Sequence, residues 1–267
     1  QVVVIEEREA GGTCLNRGCI PTKALCRNAE LLDTLRDGGA LGLRDLSFQV
    51  DFGAVKERQT KVVEQLRGGV EHILAQPGIT FVRGRAVFQG PKTVAVGADE
   101  YTAEHIIIAT GARPKLPAIP SLDACAVVTS DELLAIGHVP ARLCIVGAGV
   151  IGMEFASIFS SLGSEVTVIE YLKECLPVLD SDVAGRLRKT MARRGVTFFM
   201  QSAVTAVAAG CVKFERKGKT QTVEADSILI ATGRTPNVEA LALEAAGIEY
   251  DAKGIKTDGN MRTNVPG

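Results

Sequence analysis

Cys14 and Cys19 stand with four residues between them in Gly11-Gly12-Thr13-Cys14-Leu15-Asn16-Arg17-Gly18-Cys19-Ile20-Pro21-Thr22-Lys23, and two thiols so placed read as a redox-active pair. They can bond only if their α-carbons come within about 7 Å. Continuous helix from one to the other would hold them too far apart, so the backbone must be distorted between them. Pro21 supplies a cause: it cannot donate to the carbonyl of Arg17, so regular helix is expected to begin only around Ile20 or Pro21. Gly18 adds conformational freedom. A bridge closing so small a ring removes little denatured-state entropy, which argues against a purely structural disulfide. The spacing is unusual for zinc, and no second Cys or His pair with finger-like spacing follows. Thiol-disulfide exchange is the chemistry left.

Gly147-Ala148-Gly149-Val150-Ile151-Gly152 is a GxGxxG that follows the apolar run Leu143 to Val146, opens an amphipathic segment, and is followed eighteen residues after its last glycine by Glu170. That context makes it a dinucleotide site. Gly147 would allow the tight turn, Gly149 the approach of a pyrophosphate to the helix N-terminus, and Gly152 close helix-sheet packing. Glu170 would accept hydrogen bonds from both ribose hydroxyls and repel an extra phosphate, so NAD is preferred over NADP. Glu6 holds the corresponding place at the end of the opening strand.

The elements that must position these residues follow from periodicity. Val2 to Ile5 reads as a buried strand; Pro21 to about Arg36 as a helix through Leu25, Ala29, Leu32 and Leu35, ended by Gly38-Gly39; Phe52 to Ala75 as a helix weakened by Gly68-Gly69. Its expected apolar face is Val55, Val62, Val63, Leu66, Val70, Ile73 and Leu74. Ile79 to Val82, Arg85 to Phe88 and Thr93 to Val96 read as a meander, and Glu104 to Gly111 as a buried strand opened by His105. Arg113 to Pro120 reads as a proline-rich linker resisting both helix and sheet. A βαβ unit from Leu143 to Ile169 is expected next, then a helix from Asp180 to Arg194 with Val183, Leu187 and Met191 one turn apart and Asp180 or Ser181 as N-cap. Three short strands then lead to Asp226 to Gly233, where Ile228-Leu229-Ile230-Ala231-Thr232-Gly233 echoes Ile106-Ile107-Ile108-Ala109-Thr110-Gly111. The chain therefore repeats a nucleotide-binding plan.

With 267 residues, 46% hydrophobic content and 28 glycines the chain suits a globular α/β protein of one large or two ordinary domains. Its net charge of -1 and lack of a basic stripe argue against nucleic acid. No apolar run is long enough to span a bilayer and no signal peptide is seen, so no membrane partner and a cytoplasmic location are expected. Seven cysteines do not form a secreted scaffold; Cys26, Cys125, Cys144, Cys175 and Cys211 read as small core or surface residues. His72, His105 and His138 are isolated and are assigned no chemistry, and no metal site is expected. The chain starts directly in a strand and stops at Asn264-Val265-Pro266-Gly267, which reads as an internal fragment.

The stretch Gly11 to Lys23, with GAGVIGME from Gly147 to Glu154 and ATGRTPN from Ala231 to Asn237, closely resembles the class I pyridine nucleotide-disulfide oxidoreductases, and within them the dihydrolipoamide dehydrogenase branch, over essentially the whole chain. The resemblance implies two Rossmann-like dinucleotide-binding domains of three-layer ββα type, truncated at both ends: an FAD-binding domain at 1–115 whose own glycine motif lies upstream, an NAD-binding domain at 116–238, and a return toward the FAD or central domain at 239–267, with the interface domain absent. It implies Cys14 as the interchange thiol, Cys19 as the flavin-side thiol, Lys23 near the flavin and Glu154 as its partner, on the argument that a buried lysine needs one. Glu6, Gly12, Thr13, Cys14, Lys23, Ala86, Thr110, Gly111 and Ala112 match FAD-contacting positions; Gly147, Gly149, Ile151, Gly152, Glu170, Val204 and Gly233 match positions around NAD. The implied activity is oxidation of dihydrolipoamide, free or on a lipoyl domain, by a homodimer serving a 2-oxoacid dehydrogenase or glycine cleavage complex, hence a role in cell redox homeostasis. Alternatives are another disulfide or mercuric reductase of the family, or a non-catalytic NAD-binding fragment. The fragment itself is expected to bind FAD poorly and turn over negligibly, because the family's C-terminal acid-base partner for Cys14 is missing.

Overall fold

The computed structural model describes residues 1–120 and 127–267; Cys125 lies outside them. The chain opens with strand β1 (Val2–Glu6), a short helix α1 (Gly12–Arg17), and helix α2 (Cys19–Arg36), interrupted only at Gly18. Helix therefore starts before Pro21 on both sides of the break: Pro21 is the third residue of α2, where its missing N–H costs no bond of the first turn. Leu25, Ala29 and Leu32 form the buried stripe of α2. The helix stops at Arg36, and residues Asp37–Leu41 continue as a 3-10 turn closed by Gly42 with φ 85°, so Gly38-Gly39 tightens the chain without marking its α-helical end.

Helix α3 (Phe52–Leu74) runs unbroken through Gly68 and Gly69. Its buried face is narrower than expected, with Val55, Gln59 and Val63 inside while Leu66 and Ile73 are exposed. Strands β2 (Ile79–Arg83), β3 (Val87–Gly90), β4 (Thr93–Val96) and β5 (Asp99–Thr102) follow. The meander is β3-β4-β5; β2 instead pairs parallel with β1, from Val2 with Ile79 to Glu6 with Arg83. Short apolar strands look alike in sequence whichever partner they find, so the register here is a tertiary outcome.

Residues 104–111 are not a strand. Ile107 is 89% exposed, and Ile106 donates its N–H to the Gly267 carbonyl without forming a ladder. A β-strand needs neighbours for its backbone groups, and among the described residues this segment has none in register. The linker differs from expectation in the other direction. Strand β6 (Ala112–Pro114) pairs with a later strand, Arg234–Pro236, so the start of the proline-rich stretch does enter a sheet, at an edge position that proline tolerates.

After β7 (Val127–Val128), helix α4 (Ser130–Ala135) is started by a capping box: Thr129 Oγ1 accepts the Asp131 N–H, and the Glu132 carboxylate accepts the Thr129 N–H at 2.8 Å. Strand β8 (Arg142–Val146), helix α5 (Val150–Leu162) and strand β9 (Glu165–Ile169) form the βαβ unit. Gly163, φ 103°, ends α5 in the left-handed conformation. Helix α6 (Ser181–Arg193) has Asp180 as N-cap without a side-chain cap bond; it buries Ala184 and Met191 and leaves Val183 and Leu187 exposed, a rotation of the expected face. Four strands, not three, precede the closing strand: β10 (Thr197–Phe199), β11 (Ser202–Ala208), β12 (Cys211–Arg216) and β13 (Lys219–Glu224). Then come β14 (Ser227–Ile230) and β15 (Arg234–Pro236).

By its contacts the chain forms two compact units, one of Gln1–Asn16, Glu64–Arg113 and Arg234–Gly267, the other of Arg17–Val63 and Pro114–Gly233. In the first, Phe88, Val94, Val238, Leu241, Leu243, Ala246 and Ile248 make the core. In the second, a five-stranded parallel sheet runs in the order β10-β9-β8-β14-β7. The alternation of β8 sets its layers: Leu143 and Ile145 face a helical side with Phe155, Phe159 and Leu25, while Cys144 and Val146 face the antiparallel meander β11-β12-β13 through Val207, Val212 and Phe214. Helix, parallel sheet and meander are the three layers of a Rossmann-type α/β fold.

Candidate dithiol and nucleotide sites

Cys14 lies in α1 and Cys19 opens α2; both are exposed, and the two are joined in a disulfide. The break that permits this is Gly18, with φ -139° and ψ -112°, outside the helical region on both sides. Asn16 anchors the preceding turn: its Nδ2 donates to the carbonyls of Ala10 and Gly12, both at 2.9 Å, and its Oδ1 accepts from Arg67 Nε at 2.8 Å. Asn16 is a residue that pattern reading passes over, since a polar residue in a short helix gives no signal until its partners are known.

Four residues after Cys19, Lys23 is ion-paired with Glu154 on α5. The Glu154 hydrogen bond raises the lysine's pKa, outweighing the opposing effect of burial. Lys23 is not buried as expected: its side chain is 62% exposed and that of Glu154 27%. The pair forms because α2 packs on α5, which brings a position early in one helix opposite the first turn and a half of the other. Cys26, one turn beyond Lys23, is half-buried, and burial pushes its thiol pKa up. Cys144 and Cys175 are buried, with thiols raised by burial to about 12 and about 11, so these are inert packing residues; Cys211 is half-buried.

The glycine turn is sterically exacting. A Cβ on Gly147, whose φ is 106°, would lie 2.5 Å from the Ala231 carbonyl oxygen, and one on Gly152 would lie 2.0 Å from the Gly147 carbonyl oxygen. Gly149 is the N-cap of α5 without a side-chain cap bond, and a Cβ there would meet open space. The thirteen-residue helix thus presents its first amides to an open position. Ile151 is half-buried against the helical core. Glu170, 8% exposed, already holds two backbone amides: Oε2 accepts from Ala148 at 2.6 Å and Oε1 from Leu172 at 2.7 Å. Its carboxylate braces the turn between Gly147 and Gly149, a bond the sequence reading did not assign; each oxygen retains further lone-pair capacity. Val204 packs in the meander core at a bulge, and Gly233, φ 116°, accepts the Lys115 N–H at 3.0 Å.

The remaining candidates belong to the first unit. Glu6 ends β1 with Oε1 accepting the Arg8 N–H at 2.8 Å. Gly12, φ 67°, faces open space, followed by exposed Thr13. Thr110 and Asn237 bond reciprocally, Thr110 Oγ1 donating to the Asn237 carbonyl at 2.9 Å and Asn237 Nδ2 to the Thr110 carbonyl at 3.0 Å, while the Asn237 N–H reaches the Gly111 carbonyl at 3.0 Å. Asn237 therefore shapes the Thr-Gly turn, and its place at the end of the ATGRTPN run was its sequence signal. Ala112 accepts from Arg234, and Ala86 packs at the edge of the Phe88 core. Among the described residues no cluster of three or more His, Cys, Asp or Glu could hold a metal, and no helix is long and apolar enough to cross a membrane.

A family model described as pyridine nucleotide-disulphide oxidoreductase matches residues 1–267. Dihydrolipoyl dehydrogenase from Acholeplasma laidlawii is 36% identical over 274 residues, covering 100% of this chain and 80% of the relative; that from Bacillus subtilis is 35% identical over 277 residues, covering 99% and 60%. The HOCl-induced flavoprotein disulfide reductase RclA from Escherichia coli superposes with a TM-score of 0.85 at 32% identity, over 99% of this chain and 58% of RclA. The chain thus spans little more than half of several proteins it matches. With a bonded cysteine pair at a helix break, a steric glycine turn and a match along its whole length, this chain belongs to the pyridine nucleotide-disulphide oxidoreductase family.

Proposed function

We propose that the whole protein is a flavin-dependent oxidoreductase that oxidises dihydrolipoamide to lipoamide with NAD+ through Cys14 and Cys19. The observation that carries this reading is the disulfide itself, formed between two exposed residues across a glycine break. A dihydrolipoamide thiolate attacks Cys14 Sγ and the Cys14–Cys19 bond breaks, Cys19 leaving as thiolate. The second substrate thiol, deprotonated, then attacks the substrate sulfur of the mixed disulfide; Cys14 leaves, lipoamide departs, and the protein pair holds two more electrons than before. Bound FAD would supply the acceptor for that electron pair, and NAD+ the final hydride acceptor.

This chain's residues have defined tasks in that scheme. Position 19, at the start of an eighteen-residue helix, favours a thiolate, and the Lys23 ammonium, kept charged by Glu154, adds positive potential nearby. The open backbone at Gly149, with the uncapped first turn of α5, fits a pyrophosphate; Gly147, Ile151, Gly152, Val204 and Gly233 shape that cradle, and Glu170 offers its spare lone pairs to a ribose. Gly12, open and left-handed, fits close approach of a second dinucleotide, with Glu6, Thr13, Cys14, Lys23, Ala86, Thr110, Gly111 and Ala112 assigned to FAD. We divide the function accordingly into 1–115 for FAD, 116–238 for NAD and 239–267 for the return, in a cytoplasmic homodimer acting on a lipoyl domain. The bacterial dehydrogenase relatives support this choice of substrate.

A second reading, a reductase that uses a pyridine nucleotide to open a disulfide, is favoured by the likeness to RclA. Assay of the whole protein separates the two. Dihydrolipoamide should reduce NAD+ at least about tenfold faster than NADP+, and Cys14→Ser or Cys19→Ser should abolish turnover. Activity that survives either substitution overturns the proposal, and activity confined to disulfide reduction selects the second reading.

A further inference from the structure

Two buried polar side chains of the second unit bond backbone carbonyls beside the dithiol, one at the Gly18 break and one in the first turn of α2. Thr22, 5% exposed, donates Oγ1 to the Gly18 carbonyl at 2.6 Å, and the same carbonyl accepts the Thr22 N–H at 3.1 Å. Gln59, 4% exposed on α3, donates Nε2 to the Pro21 carbonyl at 3.3 Å. Its Oε1 accepts from the Lys56 ammonium, which also donates to the Leu134 carbonyl at the end of α4. A threonine inside a helix often bonds back to the carbonyl four residues earlier. Here that carbonyl belongs to Gly18, which lies outside both helices and carries no side-chain cap. A glycine in such a position has many accessible conformations. Its carbonyl is doubly held, and the first turn of α2 is tied by Gln59 to a separate helix.

We propose that Thr22 and Gln59 are positioning residues that hold the backbone break between Cys14 and Cys19 in one conformation and thereby set the balance between disulfide and dithiol. The inference rests on the reading of this pair as a reversible couple. When the two thiols are free, ring closure is favoured in proportion to how few backbone conformations they sample. Loss of the Thr22 hydroxyl leaves the Gly18 carbonyl on the Thr22 N–H alone, which widens that set in the reduced form more than in the bonded one, so the disulfide becomes easier to reduce.

The test equilibrates the protein with glutathione buffers, traps free thiols by alkylation and counts them by mass. Two glutathione thiols give up two electrons and join as glutathione disulfide while the Cys14–Cys19 bond breaks and both sulfurs take a proton. Thr22→Val should raise the equilibrium constant for reduction about fivefold, a shift of about 20 mV at 29.6 mV per tenfold. Gln59→Leu should move it in the same direction, and Thr22→Ser, which keeps the hydroxyl, should stay within about 1.5-fold of the parent. Ser164→Ala removes a buried bond of 2.7 Å to the Pro140 carbonyl, away from this turn, and should lower stability without moving the couple. The inference is overturned if Thr22→Val and Gln59→Leu leave the couple unmoved, if Thr22→Ser shifts it as much as Thr22→Val, or if Ser164→Ala shifts it equally. A parent protein with no reversible couple sinks the proposed function instead.

Discussion

Residues 104–111 and 226–233 carry nearly the same message, an isoleucine-rich run ending in Ala-Thr-Gly, yet they meet different fates. Ile228, Leu229 and Ile230 lie in β14 between β8 and β7, and all three are at least 98% buried. Ile107 is 89% exposed and its segment joins no ladder among the described residues. The two Thr-Gly turns are nonetheless alike, with positive φ at both Gly111 and Gly233 and a backbone bond from the crossing segment to each glycine carbonyl, Asn237 to Gly111 and Lys115 to Gly233. A turn is written into the chain locally, whereas a strand exists by virtue of its neighbours.

Amide exchange should show the widest contrast. The amides of Ile228 to Ile230 should exchange at least about a thousandfold more slowly than those of Ile107 to Ala109. Comparable protection in the two segments would break the comparison. Next in size are the glycines. Gly152→Val drives a side chain into the Gly147 carbonyl and should cost about 4 kcal/mol or more, while Gly111→Ala, whose Cβ would approach nothing closer than Thr13 Oγ1 at 3.9 Å, should cost about 1 kcal/mol for its left-handed φ; urea melts measure both. Core truncation sharpens the same point: Leu229→Ala should lose about 3 kcal/mol and Ile107→Ala less than about 0.5 in the same melts.

The smallest contrast is in acid. Glu174 accepts from Arg188 at 2.6 and 2.9 Å, and that bond holds its carboxyl down to about 2 from 4.5. Glu239, paired with Arg113, is held to about 2 in the same way, but its side chain is 59% exposed against 25% for Glu174. A depressed carboxylate contributes stability above its unfolded pKa and loses it as pH falls through the folded one, so both contributions should be lost progressively from about pH 5 to about pH 1. Glu174→Gln should lower stability by about 1 kcal/mol at pH 7 and by nothing near pH 1, with a smaller effect from Glu239→Gln; melting curves across that range would show it. An effect of Glu174→Gln that grows in acid would contradict the assignment.

Much of the site was legible beforehand because its constraints are local. The Cys14–Cys19 spacing demands a break, and Gly147 and Gly152 admit no side chain without a clash. The ion pair of Lys23 with Glu154 follows from motif positions once α2 packs on α5. The helix before Pro21, the burial expected for Lys23 and the two amides on Glu170 were not legible, since each depends on what the surrounding chain supplies.

The sequence by itself determined the dithiol, the glycine turn, the existence of the long helices and the repetition of a plan, because dihedral preference, side-chain period and steric limits act over a few residues. Tertiary structure alone decided that β2 joins β1, that 104–111 pairs with no strand among the described residues, and that Thr22 and Gln59 bond the Gly18 and Pro21 carbonyls. The physical reason is that a hydrogen-bonding group carries no record of its partner: its need for one is local, but the partner's address is not.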